Sequence, residues 1–472
     1  MNRSLLRIIL LWAWLSVGHG QGRDTVYLFE GARLISGEGG APIENSAFVV
    51  EHGKFTRVGR RGEVQPPANA MRIDLTGKTV IPGLIDAHAH LGYANYRTWT
   101  DGKANYTREN LLDHLHRAAY FGLSAIYGAG TDIAPLCYEL RDEVQRGKYL
   151  DVARWVTSGP GLTSPETVSE DTQRQDAYAI ATPEQARAAV RELAAHHVVV
   201  MKAWVNAAGA NTAAKHPIPP AAYAAFIDEA HRHHMRVFIH ERIPELATAL
   251  IEAGNDGFAH EIDNVGTPPV SLQGTPRVPG PDAAVLAALR KRGPKLFMTL
   301  TQPSFPGAEA ERFAGPDPLL VATVPPRALA TLRANALKPI APDEAARAQQ
   351  AWEARKAMTR QFIATGIRIG AGSDADHLRT TMIGWALHTE MEEMVASGMT
   401  PADVIVAATR TNAEWLGLHD LGTIAPRKAA SFVVLDANPL DDIRNTRRID
   451  RVYLDGVEVD RAGLQRAWAR QE

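Results

Sequence analysis

Three polar side chains close an apolar run near the start of the chain. In TVIPGLIDAHAHLG, residues 79–92, Asp86, His88 and His90 follow Ile81, Leu84 and Ile85. His88 and His90 stand two apart, so in an extended segment they leave the same face. Later runs end in the same way: VVVMKAWV carries Lys202, MRVFIHE ends in His240, DGFAHEID contains His260 and GIRIGAGSDAD contains Asp374. Imidazoles and carboxylates suit a divalent transition metal, zinc first among several. One catalytic ion needs three protein ligands and an open position, fewer than are on offer. Two ions about 3.5–4 Å apart, the separation of hydrolytic two-metal sites, would use them all. Lys202 is the odd member. An unpaired ammonium is costly to bury, and two neighbouring cations would lower its pKa. The resulting neutral amine could take up carbon dioxide and become a carbamate, whose two oxygens could bridge both ions; a lysine snorkelling at a strand end is the plain alternative.

Residues so far apart in sequence need a scaffold that brings strand ends together. Strand-like runs end at His90, Gly128, Ser158, Val205, His240, His260, Thr301 and Asp374. Helical runs lie between several of them. PPAAYAAFIDEAHRHH puts Tyr223, Phe226, Ile227 and Ala230 on one face behind prolines, and TPEQARAAVRELAAHH begins with Thr182 as N-cap and Pro183 at the first helical position. This α/β alternation predicts a (β/α)8 TIM barrel, in which side chains at the C-terminal strand ends point into the site. A doubly wound open sheet is the alternative, disfavoured because no Gly-rich phosphate fingerprint follows the first strand. Short β-like runs over 24–82 and again near the C-terminus, with an Asp-Gly turn at Asp455-Gly456, suggest one small β domain built from both terminal segments. The expected layout is a signal over 1–20, β segments over 24–82 and 421–472, and a barrel over 83–420. Residues 305–357 are too long for a plain loop and read as a helical excursion, either a lid over the barrel mouth or a passive insertion.

Bulk properties narrow the function. The 472 residues exceed one ordinary core. A formal charge of −2 with no strong basic run argues against a nucleic-acid or anionic-membrane surface. The opening MNRSLLRIILLWAWLSVGHG has the three-part pattern of a secretory signal, cleaved after Gly20, with an uncleaved anchor as the alternative. The chain is therefore expected in the periplasm or outside the cell, and off the membrane once the signal is removed. Cys137 is the single cysteine, so no intrachain disulfide forms, no lipoprotein cysteine follows the signal, and Cys137 itself reads as a buried apolar residue.

The motifs PGLIDAHAH, VVVMKAWV, FIHE, GFAHEID and GAGSDAD together resemble the amidohydrolase superfamily. The tail from HTEMEE to NTRRID resembles the closing segment of its imidazolonepropionase-like and prolidase-like members. That resemblance implies a metal-dependent hydrolase on a (β/α)8 barrel with a small β-sandwich. Carried over by motif, His88, His90 and Asp374 would hold the more buried ion, and carboxylated Lys202 would bridge two divalent ions. His240 and His260 would hold the second, and Asp374 would be general base to a hydroxide shared by the ions. Three departures stand out: Ser373 where relatives often have threonine, PRKAASF in the tail, and no Gly-Gly-His element in SGPGLTSPETVSED.

The substrate is less legible. Arg242, just past His240, could meet a carboxylate; Tyr93, Tyr96 and Arg97 are expected at the rim; Asn206 follows the lysine strand; and His388 is either a partner to a ligand or a helix-face histidine. The leading expectation is hydrolysis of a C–N amide bond in a small molecule such as an N-acyl amino acid or dipeptide. A mononuclear deaminase or cyclic amidase, an ester, lactone or phosphoester hydrolase, and a metal-free binding protein are the alternatives. A homo-oligomer is compatible with all of these.

Overall fold

The computed structural model describes residues 25–170, 174–206, 216–260, 262, 283–292, 317–339, 341–375, 378 and 381–469. The expected signal, the run ending at Thr301 and the first part of the 305–357 excursion lie outside them.

The fold is mixed α/β. Strands Leu84–Ala89, Leu123–Gly128 and Arg154–Thr157 form one parallel sheet with Leu123–Gly128 in the middle. A second parallel sheet holds Val200–Trp204 and Arg236–His240, flanked by Leu162–Thr163 and Gly257–Phe258. The central strands are buried along almost their whole length, as parallel strands usually are, even where they carry Asp86, His88 and Lys202. The helix Pro183–Ala195 is capped by Thr182, whose side chain accepts from the Gln185 amide while Gln185 reaches back, a reciprocal capping box with proline at the first turn. In the helix Pro220–Arg232, Tyr223, Phe226, Ile227 and Ala230 are the buried face, as their spacing predicts.

The last apolar run does not form a regular strand. Residues 371–375 still bond alongside the His88 strand: the Ala87 amide donates to Ala371 O, the Asp374 amide to His88 O at 2.7 Å, and the His90 amide to Ala375 O. The ladder breaks because Asp374 takes a left-handed backbone, φ 50°, a conformation aspartate tolerates better than most residues. This seam joins the first and last of the expected runs.

Two further sheets lie beside these, and the second draws on both ends of the chain. One is antiparallel and parallel by turns around Tyr27–Glu30, and includes Ser46–Glu51 and Lys54–Arg60. The other places Thr79–Pro82 from the N-terminal side against Phe432–Leu435 and Ile449–Leu454 from the C-terminal side. The expected turn joins Ile449–Leu454 to Val457–Glu458, with Asp455 and Gly456 both at positive φ, the requirement of a tight hairpin. A shared aromatic core binds the two sheets: the Phe29 ring stacks on Phe48 at 4.9 Å and meets Phe432 edge-on at 5.1 Å, and Phe432 stacks on Tyr453 at 4.6 Å.

The described part of the excursion is helical: Pro318–Thr323, Pro326–Ala336 and Pro342–Ala364. It is tied down by Arg117, which donates to Thr323 O at 2.7 Å, and by Asp317, which accepts from Trp385 and Arg447. Among the described residues, no helix is long and apolar enough to cross a membrane.

Candidate metal centre

The six side chains expected as metal ligands, His88, His90, Lys202, His240, His260 and Asp374, lie together. Asp374 Oδ1 sits 3.0 Å from His90 Nε2 and 3.2 Å from His88 Nε2, and Oδ2 lies 3.9 Å from His260 Nε2. Lys202 Nζ is 3.1 Å from His88 Nε2. The His240 and His260 rings meet edge-on at 4.6 Å, and His88 and His260 are 5.1 Å apart between ring centres. His88, His90, Lys202, His260 and Asp374 are buried; His240 is half-buried. Among the described residues, His88, His90 and Asp374 form a group whose ligand atoms all lie within 4.8 Å of one another.

Parallel pairing explains the convergence. Lys202 pairs with Phe238 and Trp204 with His240 in adjacent strands, so Lys202 and His240 emerge at neighbouring C-terminal ends. Along the seam, Asp86 Oδ1 accepts from the His88 amide at 3.1 Å and from the Ser373 amide at 3.0 Å, while the Ser373 hydroxyl donates to Oδ2. Asp86 is thus a clamp beneath the ligands rather than one of them, and burial raises its pKa to about 6. Ser373 retains the hydroxyl that this clamp needs.

Burial sets the protonation states. It holds His88, His240 and His260 well below the ordinary imidazole range, with the nearby positive charge of Lys202 adding to the effect. Burial likewise lowers Lys202 to about 7. Burial opposes ionisation of Asp374, but His88, His260 and His90 around it prevail and hold it well below the ordinary carboxylate range. The result is a set of neutral imidazoles, an amine able to lose its proton near neutrality, and one carboxylate. Such lone-pair donors facing one another suit a divalent cation. His88, His90 and Asp374 could hold one ion, and Lys202, His240 and His260 lie beside them.

Several neighbours were not legible in the sequence. Thr131 Oγ1 lies 3.1 Å from His90 Nδ1 and orients that ring. Trp204 lies along His90 at 6.5 Å between ring centres and carries Lys202 Nζ at 5.4 Å. Its seat depends on Gly130 and Gly161, where a β-carbon would overlap the indole. The glycines in GAGTD and GPG were the available signal.

Tyr93 and Tyr96, expected at the rim, are instead fully buried. The Tyr93 hydroxyl donates to Thr131 O at 3.3 Å, behind the His90 support, because the apolar packing under the first loop takes both rings. Arg97 pairs with Asp113 and Glu109. Asn206 and Arg242 are half-buried next to Val205 and Glu241. The positive charge of Arg242 bears on His240. His388 lies away from the cluster, with Nδ1 3.0 Å from Thr446 Oγ1 and Nε2 2.9 Å from Phe121 O. Cys137 is buried, and burial raises its thiol pKa far above the usual range.

Residues 338–459 match the model of the Amidohydrolase family. The imidazolonepropionase of Geobacillus kaustophilus (strain HTA426) is 26% identical over 413 residues, covering 84% of this chain and 84% of that protein. Among solved structures, a putative prolidase from Bifidobacterium longum aligns with a TM-score of 0.67 at 24% identity, covering 94% of this chain and 99% of that one. A Xaa-Pro dipeptidase with methionine bound in its active site aligns with a TM-score of 0.68 at 20% identity, covering 92% and 99%.

Proposed function

We propose, from the premise that the chain carries an amidohydrolase-family domain and is a homologue of imidazolonepropionase, that it is a metal-dependent hydrolase of C–N amide bonds in small molecules, with N-acyl amino acids and dipeptides as its substrate class. The observation that carries the reading is the approach of Lys202, His240 and His260 to the His88–His90–Asp374 group, a donor set larger than one ion requires. The parallel strands, the seam between 371–375 and the His88 strand, and the structural neighbours support a (β/α)8 barrel over 83–420. The shared aromatic core supports a β-sandwich from 24–82 and 421–472. Export to the periplasm or beyond rests on the opening residues alone.

Two divalent ions, zinc foremost, would be held by His88, His90 and Asp374 on one side and His240 and His260 on the other, with a carboxylated Lys202 between them. When bound, such a pair supplies Lewis acidity and makes a water acidic enough to lose a proton at neutral pH. The protein's own part is to hold and move protons. Asp374, kept ionised, can accept the proton from that water at a carboxylate oxygen and return it to the departing nitrogen. Asp86, Ser373 and Thr131 keep Asp374 and His90 from swinging away during that exchange.

The test is elemental analysis of protein prepared without chelator, joined to a screen of N-acyl amino acids and dipeptides. Two metals per chain and release of a free amine are expected, with intact mass under native conditions showing the added carbon dioxide on Lys202. Ammonia as the product, with one metal per chain, would replace this reading by a deaminase. Cleavage of esters or lactones with every amide untouched would remove the amide claim.

A further inference from the structure

Asn412 touches both runs that carry the cluster without belonging to it. It is fully buried at the start of the short helix Asn412–Leu416. Its side-chain amide nitrogen donates to Ile85 O and to Ala371 O, both at 2.6 Å. Carbonyl oxygens only accept, so the nitrogen and not the oxygen of the amide must face them, and its two N–H groups serve one carbonyl each. Ile85 stands three residues before His88, and Ala371 three before Asp374. One side chain therefore ties the two backbones at matched positions below the histidine pair and below the carboxylate.

The seam between those runs needs such a tie. A regular parallel ladder carries evenly spaced bonds along its length, but this one is interrupted where Asp374 takes its left-handed backbone. Among the described residues, the backbone bonds across it are those donated by the Ala87, Asp374 and His90 amides. The tail reaches the seam through a change of helical pitch. Pro401–Val406 is α-helical, Ala407–Thr411 forms a π-helical turn, and Asn412–Leu416 returns to α. A π turn closes one residue later than an α turn, so it re-aims the residues that follow, and such turns recur at functional sites. Trp415 of the same helix meets Phe238 at 5.7 Å between ring centres, and Phe238 lies 5.4 Å from the His88 ring. The helix thus approaches the cluster at two points, one polar and one aromatic.

We propose that Asn412 is a positioning residue for the metal centre: it fixes the first and last runs against each other, so that Asp374 stays within reach of His88 and His90. This rests on the metal-dependent reading of the site, while the tie across the seam is measurable with no metal present. The Asn412 amide bonds the backbones of Ile85 and Ala371 and acts on the cluster through them.

The experiment measures hydrogen exchange and zinc affinity on the full chain. Asn412→Leu keeps a similar volume and removes both donors; Asn412→Ser, too short to span both carbonyls, replaces it if the leucine variant does not fold. Ser124→Ala is the control. The Ser124 hydroxyl also reaches carbonyls at the start of the first strand, Gly83 O at 3.2 Å and Leu84 O at 3.1 Å, but from the strand on its other edge. In metal-free protein, exchange of the His90 and Asp374 amides should quicken about tenfold or more in the Asn412 variant and stay within about twofold of wild type in Ser124→Ala. The zinc dissociation constant, from chelator competition, should rise about ten- to a hundred-fold in the Asn412 variant and hold in Ser124→Ala, while urea midpoints fall in both. Unchanged exchange across the seam in the Asn412 variant overturns the proposal. So does zinc affinity that survives a loosened seam, or an equal loss of both in Ser124→Ala. Failure of both Asn412 variants to fold also overturns it, since the amide then serves the fold at large. Zinc bound by none of the proteins, with the seam loosened only in the Asn412 variant, would sink the metal-dependent reading and leave Asn412 as the tie between the two runs.

Discussion

His88 and His388 are equally buried, and burial lowers the pKa of both rings. Their surroundings differ in one respect. His388, on the helix Trp385–Ala396, has a carbonyl at one nitrogen and a hydroxyl at the other, and His114, on Arg108–Tyr120, has the Gly92 amide and the Ala94 carbonyl. A neutral imidazole has one donor and one acceptor, so both rings are satisfied. His88 instead leaves Nδ1 without a hydrogen-bond partner and turns Nε2 toward Lys202 and Asp374. Burial and a depressed pKa are therefore common to His388 and to a histidine of the His88–His90–Asp374 cluster. What separates the two regions is that His88 Nε2 faces an amine and a carboxylate, with two further imidazole rings beside it, where His388 meets one hydroxyl and one carbonyl.

The largest expected effect comes from the carboxylate at the centre of the cluster. Asp374→Asn should lower kcat/KM by about 10²–10⁴-fold, the range for losing a general base, with a melting temperature within a few degrees of wild type. A loss under tenfold would mean that Asp374 is as structural as His388. Next is the direct exchange between the two regions. His88→Gln should strip metal from the protein, read by elemental analysis, and cut hydrolysis more than about hundredfold. His388→Gln should leave metal content unchanged and cost about 1–3 kcal/mol in urea unfolding, from two disrupted buried hydrogen bonds. The reverse pattern would overturn the distinction. Ser373→Ala removes the hydroxyl that holds Asp86, and metal affinity should fall about ten- to a hundred-fold, as for other groups that orient ligands.

The smallest effect tests a buried group of a third kind. Asp132 is buried with Oδ2 accepting from Thr157 and Oδ1 without a hydrogen-bond partner, and burial raises its pKa from 3.8 to about 7. The folded protein therefore binds more protons than the unfolded chain between those values. The contribution of Asp132 to stability is fully present below the unfolded pKa and is lost as pH rises through about 7. Urea midpoints from pH 5 to pH 8 should fall more steeply for wild type than for Asp132→Asn, by up to about 1.4 kcal/mol per pH unit. Parallel pH profiles would show that Asp132 is ionised throughout.

The polar run ends were readable because extended chains alternate their side chains, so a histidine pair two residues apart declares one face. The joint pattern of five apolar runs ending in His, Lys or Asp was informative where no single member was. Helix starts such as Thr182-Pro183 and the Asp455-Gly456 turn were readable because caps and tight turns are decided within a few residues. Tyr93 was misjudged because position after a motif says nothing about which way a ring packs. Thr131 and Trp204 escaped because their meaning comes from contacts across segments, and the glycines that make room for Trp204 look like ordinary turn glycines until the indole is seen against them.

From the sequence alone came the residue types able to bind divalent ions, the period-two face that presents His88 with His90, and the β texture shared by both termini. These are local properties, set by side-chain chemistry and the backbone period. Tertiary structure decided which polar atoms face each other, how far burial drives Lys202 toward neutrality, and that Asp86 is held by Ser373 and the His88 amide beneath the cluster. Those outcomes depend on distance and desolvation, and neither exists until parallel strands bring their ends to one place.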